Sequence, residues 1–106
     1  MKYIFFVIDT ESNSGSNEEM IQIDAFNNKL QSENKLVYAA GIGGSKTATI
    51  FDNRAGINLS KQESLNGDEF YSGFWIIEAD PEEVEDLAKQ ASLACNHRVE
   101  IRAFLA

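Results

Sequence analysis

The last third of this 106-residue chain leaves few folds open to it. Residues 73–79 (GFWIIEA) read as an apolar strand, Asp80-Pro81-Glu82-Glu83 as the opening of a helix, and residues 99–105 (VEIRAFL) as a returning strand. Pro81 suits the first helical position, where its missing amide costs nothing, and Asp80 with Glu83 makes a capping box. Val84, Leu87, Ala88, Ala91 and Cys95 recur at helical spacing and give the helix one buried stripe. Strand, capped helix, strand is half of a βαββαβ sandwich.

The N-terminal half supplies the rest. Residues 3–8 (YIFFVI) are apolar at consecutive positions, so both faces of this strand are covered. Residues 12–17 are a loop by composition, with Ser16 as N-cap and Glu19 as its capping-box partner. Met20, Ile23, Phe26 and Leu30 then form a buried helical stripe that fades near Asn34. Residues 36–42 form the second strand, closed by Gly41, Gly43 and Gly44. Residues 47–51 and 57–60 make a hairpin around Asp52-Asn53-Arg54-Ala55-Gly56, residue types that tolerate left-handed turns.

The expected fold is therefore α+β: a ferredoxin-like βαββαβ antiparallel sheet with two helices on one face, a hairpin inserted at about 47–60, and one domain over residues 1–106. The strands at 3–8 and 73–79 belong at its centre. The face away from the helices would then expose Phe, Ile and Trp side chains, a patch of the kind that marks an interface. Pairing two open faces gives a homodimer and a dimeric α/β barrel.

Charge narrows the partners. Seventeen acidic residues against nine basic ones leave a net charge of −8, against a nucleic-acid partner or an anionic membrane surface. One cysteine cannot form an internal disulfide, and no run approaches the roughly 20 apolar residues of a membrane span. The apolar run after Lys2 ends at Asp9, short of the roughly 7–15 residues of a signal-peptide core. A cytoplasmic location is expected.

Several residues could carry chemistry. On the closing strand Glu100, Arg102 and Phe104 share one face and Val99, Ile101 and Ala103 the other. Glu100 and Arg102 then stand on the open face, as an ion pair or with Arg102 anchoring a ligand. His97, the one histidine, is either an acid/base or a positive end for the second helix. Asp9 ends a central strand, as a loop cap or a pocket acid. Tyr38, Tyr71 and Trp75 could line a cleft, with the face of Trp75 left open.

Other candidates carry less. Cys95 lies on the helical stripe as a core filler, and no third group orients a Cys95–His97 pair. The run Gly41-Ile42-Gly43-Gly44-Ser45-Lys46-Thr47 lacks the spacing of a phosphate loop. One His, one Cys and scattered carboxylates predict no metal, and no cofactor is expected.

Gly73-Phe74-Trp75-Ile76-Ile77-Glu78, the capped acidic helix and Val99-Glu100-Ile101-Arg102 resemble the YCII-related (DGPF-type) family. The opening Met1-Lys2-Tyr3-Ile4 and the helix start Glu18-Glu19-Met20 are similar too. The resemblance implies a dimeric ferredoxin-like α/β barrel, in a family whose biochemical role is little defined and some of whose members act as small-molecule enzymes. Lys61-Gln62-Glu63-Ser64 carries none of the family's Asp-Gly-Pro-Phe signature. The first helix has no His, and Ala103 stands where the family has Pro.

The functional expectation is a small organic molecule bound in a cavity at the sheet and dimer interface. Asp9, Tyr38, Trp75, His97, Glu100 and Arg102 are the candidate ligand-binding residues. Two alternatives stand beside it: a cofactor-independent lyase or oxygenase acting on a hydrophobic substrate, and an accessory module that contacts another protein through its hairpin.

Overall fold

Continuous apolar sequence puts two strands at the centre of the sheet in the computed structural model, which describes residues 1–10, 17–65 and 67–105. The elements are β1 (Lys2–Thr10), α1 (Asn17–Ser32), β2 (Leu36–Gly41), β3 (Ile50–Asp52), β4 (Leu59–Lys61), β5 (Glu69–Glu78), α2 (Pro81–Cys95) and β6 (Arg98–Ala103). Four strands form an antiparallel sheet in the order β2-β5-β1-β6, and β3 pairs with β4 in a separate ribbon. This is the ferredoxin-like α+β arrangement, with the ribbon inserted between β2 and β5.

The register assigns the faces. Tyr3, Phe5 and Val7 of β1 lie opposite Ile77, Trp75 and Gly73 of β5, and this set packs under the helices. Trp75 therefore belongs to the helix side. Ile4, Phe6, Phe74 and Ile76 occupy the other face, together with Glu100 and Arg102 of β6. Ala103, Ile101 and Val99 pair with Tyr3, Phe5 and Val7, so the alternation expected for the closing strand holds. That strand ends at Ala103, one residue before Phe104, which lies beyond the ladder and is exposed.

The core is built from Phe5 and Ile77 of the sheet, Phe26 and Leu30 of α1, and Val84, Leu87, Ala91 and Cys95 of α2. Phe26 meets the Trp75 ring edge-on, with centroids 5.5 Å apart. Each fully buried aliphatic side chain here contributes about 1.5–3 kcal/mol relative to an exposed one. One member of the expected α1 stripe departs. Met20 is 55% exposed, because α1 leaves a gap over the sheet at its N-terminal end instead of packing down onto it.

The helix punctuation is partly visible. Ser16, the expected N-cap of α1, lies outside the described residues. α1 ends with Asn34 in the left-handed region (φ 58°) and a Lys35 N–H to Leu30 carbonyl bond of 2.9 Å, a Schellman-type closure. At the start of α2 the Asp80 N–H donates to Glu83 Oε1 at 3.1 Å, within the expected capping box. The ribbon begins at Ile50 rather than residue 47, because Ser45–Thr47 turns as a 3-10 helix and the Thr47 hydroxyl donates to the Gly44 carbonyl.

Candidate functional site

The gap beneath α1 is a cavity of about 380 Å³ between the start of that helix and the sheet. Small residues create it. Ala39 and Gly41 of β2 lie opposite Trp75 and Gly73 of β5, so this corner of the helix-facing sheet lacks bulky side chains apart from the indole. Gly73 has no room for more: an added Cβ would stand 3.0 Å from the Ala40 carbonyl oxygen. Val7 and Ile23 complete the apolar walls.

The polar end of the cavity is made by Asp9 and His97. α2 closes with Asn96 in the left-handed region (φ 56°), which turns the chain so that His97 folds back under the helix end. His97 Nδ1 is 2.6 Å from the Cys95 carbonyl oxygen, and Nε2 is 3.2 Å from Asp9 Oδ1. The two side chains are only 8% and 14% exposed. A carbonyl oxygen can only accept, so Nδ1 carries a proton. Nε2 then faces the Asp9 carboxyl. The two side chains thus meet, largely shielded from solvent, at the wall of the cavity. Asp9 also accepts from the Thr10 N–H at 2.7 Å, which fixes that carboxylate.

α1 adds Glu19, Asp24 and Asn27 to the lining. Asn27 Oδ1 accepts the Trp75 indole N–H at 2.6 Å, so the buried ring has its partner. Cys95 also borders the cavity and is 2% exposed; burial pushes its thiol up. Among the described residues no group of three or more His, Cys, Asp or Glu is placed to hold a metal ion.

The other three candidates stand on the opposite face of the sheet. A bulge between Val7 and Ile8 brings Tyr71 opposite Ile8, onto the open face, where its ring stacks on Phe6 at 4.2 Å. The Tyr71 hydroxyl donates to Glu100 Oε2 at 2.8 Å, and Arg102 bonds the same carboxylate through Nε at 2.8 Å. The Arg102 guanidinium lies 5.6 Å from the Phe6 ring centre. Hydrogen bonds from Tyr71 and then from Arg102 hold the Glu100 carboxyl below its usual range. Tyr38 is 59% exposed on edge strand β2, its ring 6.0 Å from that of Phe74. The six candidates thus form two groups: Asp9, Trp75 and His97 at the cavity, and Tyr38, Glu100 and Arg102 on the open face.

The fold has a counterpart among solved structures. The chain is similar to 5-chloro-2-hydroxyhydroquinone dehydrochlorinase (TftG) from Burkholderia phenoliruptrix, determined in complex with 2,5-dihydroxybenzoquinone, with a TM-score of 0.51 and 15% identity over 99% of this chain and 94% of that one. The likeness is one of fold. No family model and no curated protein matches the chain.

Sequence reading singled out Asp9, Trp75 and His97 but not the α1 residues that face them. A signal was present. Glu19, Ile23 and Asn27 are four residues apart and share one ridge of the helix, which places polar groups beside the apolar stripe. The small residues at 39, 41 and 73 gave no signal alone, because only strand register sets them opposite one another.

Proposed function

We propose that this chain binds a small organic molecule in the cavity beneath α1, with Trp75 as its aromatic wall and the Asp9–His97 pair as its polar end. The carrying observation is the Asp9–His97 pair, largely shielded from solvent, at the wall of a cavity that also presents Trp75, Val7 and Ile23, and whose size falls in the range of about 300–1,000 Å³ common for ligand sites. The neighbour of the same fold is a dehydrochlorinase solved with a quinone, which agrees with this reading. The open face, with Tyr38, Glu100 and Arg102, serves as the surface on which two copies pair, giving the barrel of a YCII-like homodimer. The protein works in the cytoplasm as one domain.

A thermal-shift panel of small aromatic compounds tests the proposal. Compounds that raise the melting temperature of the wild type should leave Ala39→Leu unmoved, since the new side chain fills the cavity. Overpacking costs about 1–3 kcal/mol, so a cooperative melt of the variant alone serves as the folding control. Equal stabilisation of both proteins would place binding elsewhere.

The Asp9–His97 pair favours one second reading, a cofactor-independent lyase in which the pair moves a proton to or from an apolar substrate. Phenylacetone in deuterated buffer is a direct probe. The wild type should exchange the activated C–H faster than His97→Gln, by about 100-fold or more for a positioned acid/base. Equal rates would end that reading.

A further inference from the structure

We infer that the cavity takes an organic cation, a protonated amine on an apolar body, and disfavours anions. This rests on the proposed function and specifies its ligand. Asp9, Glu19 and Asp24 bring three carboxylates to the lining against one imidazole, and neither Lys nor Arg appears there among the described residues. With His97 protonated the lining still carries a net charge of −2 (three negative, one positive). The whole chain, at −8, adds a field of the same sign.

Placement supports an organic cation over a bare metal ion. The carboxylates enter from two elements, Asp9 from β1 and Glu19 and Asp24 from α1, and among the described residues no group of three or more ligating side chains is placed to hold a metal. Trp75, Val7 and Ile23 line the same cavity and offer surface to an apolar body. An anionic ligand would bring its charge beside three carboxylates, with no guanidinium or ammonium among the described lining residues to receive it.

Trp75 is the chain's one tryptophan and borders the cavity, so its emission reports binding directly. Three probes share a phenyl-ethyl skeleton and differ in charge: phenethylamine, phenethyl alcohol and phenylacetate. Titrated at neutral pH and low ionic strength, the amine should bind at least about tenfold tighter than the alcohol, and phenylacetate should bind weakest. Added salt should narrow the gap between amine and alcohol. Asp24→Asn should weaken the amine by a larger factor than it weakens the alcohol. Phenylacetate binding as tightly as the amine, or an amine preference that survives Glu19→Gln with Asp24→Asn, would overturn the charge selection while leaving the cavity a binding site. No response to any of the three would remove the binding site itself, and the selection with it.

Discussion

Glu100 stands between two donors, and its response to acid follows from them. Its carboxyl is held below its ordinary 4.5 by the Tyr71 hydroxyl first and Arg102 second. A carboxyl lowered on folding stabilises the protein fully above the unfolded value, and that contribution disappears as pH falls through the folded one. Tyr71 is the reverse case. Its hydroxyl is raised above 10.0 by the bond to Glu100 and then by burial, so its share is present below that value and lost as pH rises through the folded one. Glu100→Gln should therefore melt below the wild type at neutral pH, with the difference closing as pH drops below about 4.5. A difference that stays constant into acid would show that Glu100 contributes nothing through its charge. Cys95 gives a second test: its thiol is buried and pushed up, so a thiol reagent at neutral pH should label the native protein far more slowly than the urea-unfolded chain. Equal rates would mean that the end of α2 opens freely.

The elements carry most of the stability, through residues whose roles differ in kind. Leu30 of α1 is fully buried, and Leu30→Ala should cost about 2–5 kcal/mol by urea denaturation, where a loss under about 1 kcal/mol would mean that α1 is not docked. Asp80 acts only at the helix start, and Asp80→Ala should cost about 0.5–2 kcal/mol. The elements were also where sequence was most readable. Pro81 between Asp80 and Glu82 marks the start of α2 without reference to anything distant, and the unbroken apolar runs of β1 and β5 mark them as central. Met20 shows where such reading stops. Its spacing is that of a core residue, yet whether a helix end meets a bulky or a bare stretch of sheet depends on Ala39, Gly41 and Gly73 standing together, which is a property of register. The same limit hid the meeting of Asp9 with His97, since the two lie at opposite ends of the chain and only the antiparallel pairing of β1 with β6 unites them.

At the scale of the whole molecule the sheet separates two surfaces. One face is covered by helices and holds the cavity; the other carries Ile4, Phe6, Phe74 and Ile76 with no element of the described chain above them. A dimer through that face should be the species seen by light scattering at micromolar concentration. Ile76→Asp should yield a folded monomer with unchanged far-ultraviolet dichroism, whereas a wild-type monomer would contradict the pairing. The cavity, lined from one chain, should keep its ligand in that variant. Amide and indole chemical shifts of the labelled protein during addition of phenethyl alcohol are the most direct test of where the site lies. The account predicts that the largest changes fall on Ala39, Gly73, His97 and the Trp75 indole N–H. Changes centred instead on Tyr38, Glu100 and Arg102 would move the binding site to the open face and contradict it.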